Sequence, residues 1–328
     1  MLTGCDQTFV LPPRKANPPE PTLPISPMFE GQAIRTLHSP LSPLSPQSPI
    51  YPDGVMTHLW MRKHQDLIPS VFIPCFELYT ETPDSNMQVQ KDNELINVIN
   101  DLKKQFGTST STNVVGSGSP TETNARRTKF AVIILAEKSV LHSPEIDERL
   151  GVIRRSTSLE FNSTLFFLPS PSTPIEVQSF VRNIQLRLFG LALEYYRDLS
   201  KHSRRKRKNP IPLPTAPPTT APTTLSDAGW GVRYEIKLGI FSEFRQEMDT
   251  AARSYEIAYE SLVQDIMSTT NSWSGRWLEA RLLADILSIR ILRCLLWLES
   301  WTAAVRRWEY HIIKMRDLIN AKGKGAET

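Results

Sequence analysis

The sequence predicts an α/β region with a small parallel β-sheet flanked by helices, followed by an all-α region, with long disordered segments. Three observations carry this expectation: prolines cluster in two places, strand-like and helix-like hydrophobic periods alternate between them, and the strand signal stops after the second cluster. Of 328 residues 26 are proline and only 14 glycine, so part of the length is linker, and roughly 250 residues remain to build a core.

Residues 1–52 hold twelve prolines, each of which removes a backbone donor and biases its predecessor toward extended backbone. Disorder is expected there. Ser-Pro pairs at Ser26, Ser39, Ser42, Ser45 and Ser48 are candidate sites for a proline-directed kinase, beside the plainer reading of a solvated tail. The α/β region is expected over 53–208, with a polar insertion at 108–124. A Pro/Thr-rich linker follows at 209–227, and a helical region at 228–328.

Within the α/β region, Val71 to Tyr79 is short, apolar and rich in strand formers, and Asp92 to Phe106 then puts Leu95, Ile96, Ile99, Leu102 and Phe106 on one helical stripe. Lys129 to Ala136 holds Phe130, Ala131, Val132, Ile133, Ile134 and Leu135 in one unbroken apolar run, as in a strand covered on both faces. Pro144 opens a helix with Glu145 and Asp147 in its first turn. Thr164 to Leu168 supplies a third strand. Thr173, Pro174 and Glu176 then supply an N-cap, a first-turn proline and a capping-box acid for a long helix to about Lys201. Three βα units in a row predict a parallel sheet with helical crossovers.

After the second linker, helical patterns cover Trp230–Phe244, Met248–Met267, Arg276–Trp297 and Ala303–Ile319. The third is apolar nearly all round, with Leu283, Leu287, Ile291, Cys294 and Leu298 on one stripe and Leu282, Ile286, Ile289, Leu292 and Leu296 on its neighbour, so cover on both sides is expected. Leu238, Gly239, Ala251, Tyr255 and Ala258 fall at tetratricopeptide-repeat offsets, with the small residues allowing close approach and Tyr255 filling the gap beside them. The pattern predicts the start of a tetratricopeptide-like α-solenoid whose last helix lacks a capping partner, so the chain reads as a truncated N-terminal fragment. Trp297, Trp301 and Trp308 read first as core packing, with a surface facing a missing repeat as the alternative.

Enzyme signals are poor. The glycine-rich stretch from Gly116 to Pro120 lacks a phosphate-loop lysine and precedes a strand where it should follow one. The six histidines keep no metal-ligand spacing, and there is no nucleophile-elbow motif. His311 reads as a structural residue. No catalytic, cofactor-binding or metal site is assigned, and no cofactor is expected. The three cysteines, Cys5, Cys75 and Cys294, fit neither a disulfide framework nor a metal site, which indicates a reducing compartment. Apolar runs are cut by charge before about 20 residues, so no spanning helix is expected. The dense charge feature is Arg204, Arg205, Lys206, Arg207 and Lys208, where the long helix meets the linker. It reads as an address for nuclear import, a patch for acidic lipid, a site for an acidic partner, or a solvated helix end favoured by the dipole. Nucleic acid is not an expected partner, because no aromatic residue interleaves the run and the net charge is only +4.

Residues 235–247 followed by 251–259 resemble the foie gras domain family of trafficking protein particle (TRAPP) complex subunit eleven. Similarity extends to 276–286, to 304–312, and to Tyr195-Tyr196-Arg197 with the basic run ending at Pro210. The resemblance implies a non-catalytic scaffold subunit of a vesicle-tethering complex in ER-to-Golgi transport and autophagy. Its implied partners are other TRAPP subunits, with an acidic protein or membrane surface as the expected ligand of the basic run. Its implied place is cytoplasmic, peripheral to Golgi or ER–Golgi intermediate membranes. Two rival readings from other classes are a degenerate nucleotide-binding α/β enzyme with a helical appendage and a nuclear adaptor steered by the basic run.

Overall fold

The computed structural model describes residues 41–45, 48–51, 53–78, 85–108, 128–138, 144–209 and 225–323. Most of the expected tail and linker, nearly all of the polar insertion and its glycine-rich stretch, Ser26 and Ser39 lie outside these residues. Two compact units are distinguished, one of residues 68–199 and one of 1–67 with 200–328.

The first unit is built on parallel strands. β1 (Val71–Phe72) and β2 (Cys75–Glu77) precede α2 (Ser85–Thr108). β3 (Lys129–Phe130) and β4 (Val132–Glu137) precede α3 (Pro144–Thr157), and β5 (Leu165–Ser170) precedes α4 (Pro174–Lys208). β1 pairs with β3, and the other strands run in the order β2-β4-β5, all parallel. The break between β1 and β2 has a local cause. Pro74 has no N–H to give the ladder, yet its carbonyl still accepts from Ile133 N at 3.0 Å, so pairing continues across the interruption. The register sets Val132 opposite Leu165 and Ile134 opposite Phe167.

Because side chains alternate along a strand, Val132, Ile134 and Ala136 pack with Ile96 and Ile99 of α2 and with Ile146 and Ile153 of α3. On the opposite face Ala131 and Ile133 pack with Phe180, Ile184 and Leu188 of α4. The unbroken apolar run of β4 thus reflects cover on both faces. Arg149 of α3 clasps Asp92 of α2 through two bonds of 2.8 Å, the fork geometry that suits a carboxylate.

The start of α4 contains the capping box: Glu176 N donates to Thr173 Oγ1 at 3.3 Å, and Thr173 N donates to Glu176 Oε2 at 2.7 Å. Thr173→Ala should therefore cost this unit about 1 kcal/mol, seen as a lower urea midpoint, and an unchanged midpoint would discount the cap. Glu176 is held below the usual carboxylate range, first by the Thr173 amide and then by Lys138. A depressed carboxylate stabilises above its unfolded pKa, and that contribution fades as pH falls through the folded value.

In the second unit α5 (Asp227–Phe244) packs on α6 (Met248–Ser261, continued by a π-helical stretch Leu262–Met267), α6 on α7 (Gly275–Trp297), and α7 on α8 (Trp301–Gly323). Ser226 and Ser274 cap α5 and α7 by accepting from Gly229 N and Trp277 N, both at 3.2 Å. The tight turns after α5 and α7 use left-handed Gln246 and Glu299, a conformation helix ends commonly adopt.

One element escapes the sequence reading. α1 (His58–Arg62), prolonged by a π-helical turn Lys63–Leu67, belongs with the helices and not with the sheet. The reason is nonlocal. The buried Arg233 guanidinium donates to Val55 O at 2.6 Å and to Leu41 O at 3.0 Å, while Val55 N donates to Glu279 Oε1 at 3.1 Å. Trp60 packs against Phe241, ring centroids 5.5 Å apart. Residues 41–45 and 48–51, expected to be disordered, instead form turns and bends in which Leu44 and Ile50 are buried.

Candidate interaction site on the helical unit

The predicted helix-pair residues meet where α5 crosses α6. Leu238, Ala251, Tyr255 and Ala258 are buried, and a Cβ built on Gly239 would come within 3.0 Å of three atoms of the Tyr255 ring. Tyr255 in turn donates to Glu243 Oε2 at 2.7 Å. Arg290 of α7 pairs with the same oxygen, and Arg293 reaches the other at 2.5 Å. Glu243 is therefore a buried carboxylate tying three helices, a role without a motif. Burial, foremost, keeps the Tyr255 hydroxyl protonated well above the ordinary tyrosine range.

His311 is buried on α8. Its Nδ1 lies 2.9 Å from Tyr259 Oη and its Nε2 3.1 Å from Asp285. Arg307 covers the Tyr259 ring at 4.2 Å and pairs with Glu260. These contacts fix α8 against α6 and α7, which agrees with a structural histidine.

The tryptophan expectation is corrected. Trp297, Trp301 and Trp308 are 63%, 63% and 44% exposed. The first α7 stripe is buried from Leu283 to Cys294, but Leu298 at its end is exposed, as are Ile289 and Leu296 of the second stripe. Helix α7 is covered by α6 and α8 along one side only, so the face predicted to be buried on both sides is half open. Val305, Ile312 and Ile313 of α8 are exposed as well. A groove of about 350 Å³ runs between α7 and α8, walled by Trp308, Ile312 and Met315 and edged by Arg281, Asp285 and Arg316. An open apolar surface of this kind is a candidate interaction site.

The basic run forms the last turns of α4, with all five side chains exposed. It is not uniform. Arg207 pairs with the buried Glu235 of α5, while Lys206 and Arg207, with Asn209, line a cavity of about 200 Å³ against α5. Of the serine candidates, Ser42 is half-buried, and Ser45 and Ser48 are buried. Among the described residues no group of three or more His, Cys, Asp or Glu is arranged to hold a metal, and no helix is long and apolar enough to cross a membrane.

Fold and surfaces thus define a small parallel α/β unit accompanied by pairwise-packed helices with an open apolar face. Residues 2–177, more than half of the chain, match the family described as Trafficking protein particle complex subunit 11 N-terminal domain, and residues 276–328 match Foie gras liver health family 1. The chain belongs to the first of these families. Similar curated proteins, each named Trafficking protein particle complex subunit 11, come from Gallus gallus, Bos taurus and Homo sapiens. Each is 23% identical over 283 residues, covering 84% of this chain and 21% of the relative. The chain spans about a fifth of the length of these relatives.

Proposed function

We propose that this chain is a non-catalytic scaffold subunit of a TRAPP-type vesicle-tethering complex, serving ER-to-Golgi transport and autophagy from the cytoplasmic side of Golgi and ER–Golgi intermediate membranes. Membership of the trafficking-particle family carries the reading. The pairwise packing of α5 to α8 and the open aromatic face of α7 and α8 support it physically, because exposed Trp and Ile side chains on helices are the anchors that protein interfaces use. Other subunits of such a complex are the proposed partners of that face.

The test is affinity capture of the tagged chain from cytosol, with small core TRAPP subunits identified among co-purifying proteins. Trp301→Ala combined with Ile312→Glu should cut their recovery at least about tenfold, since loss of one interface anchor commonly costs about 2 kcal/mol. Both side chains are exposed, so far-UV circular dichroism should be unchanged. Failure of the unaltered chain to recover any such subunit would overturn the scaffold reading. Unchanged recovery by the double variant would move the partner surface elsewhere.

A further inference from the structure

Helix α8 carries two apolar stripes, and the fold uses one of them. The inner stripe holds Ala304 and His311, both buried, and Leu318, half-buried; His311 meets Tyr259 of α6 and Asp285 of α7. The outer stripe, Trp301, Val305, Trp308, Ile312, Met315 and Ile319, advances by four, three, four, three and four residues. All of these except Met315 are exposed. A helix settled into a core shows a broad stripe, whereas alternation of three and four, a mean of about 3.5, is the narrow seam of a coiled coil. The β-branched Val305, Ile312 and Ile319 fall at one seam position, and Trp301, Trp308 and Met315 at the other. Another helix keeps step with such a seam over its whole length, which an extended strand, with its longer rise per residue, does not.

The flank of the seam away from the inner stripe indicates which helix that is. Glu309 and Arg316 stand there one heptad apart, both exposed, and no ion pair among the described residues engages either. Flank charges of this kind set partner and orientation in paired helices. In a parallel pair of identical helices each residue lies level with its own copy, so these opposite charges do not meet. Run antiparallel, the same two helices bring Glu309 of each against Arg316 of the other. That register also sets Trp308 against Ile319 of the second copy, and Ile312 against its Met315. The edge is thus self-complementary, the requirement for a two-fold contact between copies. On the α7 side of the groove Arg281 and Asp285 contribute one base and one acid, which adds no net charge to repel a copy.

We propose that α8 pairs with α8 of a second copy of this chain, antiparallel along the outer seam, with Glu309 and Arg316 as its reciprocal charge contacts. The pairing goes beyond the scaffold reading and is compatible with it, since a subunit that docks on this face exchanges with the second copy.

Sedimentation velocity of the full chain over a rising concentration series should show a monomer–dimer equilibrium. Ile312→Glu, at the middle of the seam, should weaken it at least about tenfold. Glu309→Arg and Arg316→Glu should each weaken it about fivefold, because each sets like charges together twice per dimer. Combining Glu309→Arg with Arg316→Glu lets acid and base trade places, and should restore the parent value within about twofold. Asp317→Arg changes the net charge as Glu309→Arg does but lies off the seam, and should stay within about twofold of the parent. The altered side chains are all exposed, so far-UV circular dichroism should not change. A chain that stays monomeric at about 100 µM overturns the proposal. So does a dimer that survives Ile312→Glu, one that the combined exchange fails to restore, or equal loss from Asp317→Arg and Glu309→Arg. If Ile312→Glu perturbs the fold, the charge exchange decides. None of these outcomes bears on recovery of trafficking-complex subunits by the tagged chain, so the two readings fail separately.

Discussion

Glu243→Ala should destabilise the helical unit by about 3–5 kcal/mol, the cost of breaking a buried ionic cluster by removing one partner. The carboxylate side chain is only 3% exposed; its Oε2 accepts from Tyr255 and Arg290, and Arg293 forms an ion pair with its Oε1. Its loss leaves the largely covered Arg290 guanidinium and the fully buried Tyr255 hydroxyl without their acceptor. Arg293→Ala removes an arm whose side chain is 64% exposed, and should cost no more than about 1 kcal/mol. Urea titration of the full chain followed by tryptophan emission reads both, because Trp60, Trp230 and Trp277 are buried in this unit. Equal midpoints for the two variants would remove Glu243 from its central place. The pH dependence has a defined sign. Tyr255 ionises in the unfolded chain near pH 10 and is raised above this in the fold by burial. Its contribution is therefore whole below about pH 10 and declines as pH rises beyond it.

Two glycines on α5 should respond to alanine with opposite signs. At Gly239 the added Cβ enters the Tyr255 ring. That ring is fully buried and anchored through its hydroxyl to Glu243, so it has no free volume to yield into. Gly239→Ala should cost about 1–3 kcal/mol by overpacking, and Ala251→Leu, at another fully buried contact of the pair, a similar amount. At Gly231 a Cβ meets nothing within 4 Å. There the helix-propensity difference stands alone, so Gly231→Ala should gain about 0.5–1 kcal/mol. Thermal melts of the three variants beside the parent provide the comparison. Same-sign shifts for the two glycines would contradict the close approach of α5 and α6.

The sequence by itself determined the elements, because their causes are local. The apolar run of β4, the stripe of α2 and the capping box at Thr173 and Glu176 express periodicities or spacings within a few residues, and the small residues facing Tyr255 fall at repeat offsets, so a linear reading captures them. The tertiary structure decided what no local window contains. Arg233 finds carbonyls 178 and 192 residues away in the chain, and that draws Leu41 and Val55 onto the helices although the sequence assigned the first to a proline-rich tail and the second to the α/β region. Glu243 gains its role only when α6 and α7 deliver Tyr255 and Arg290 to one carboxylate. Trp297, Trp301 and Trp308 have the composition of a core, but exposure depends on which face another helix covers, and here that face is open. Trp230 looks like any packed tryptophan until the fold encloses its N–H without an acceptor. Short-range sterics and side-chain period are properties of the chain, whereas burial, and with it the strength of each charge and hydrogen bond, is a property of the assembled fold.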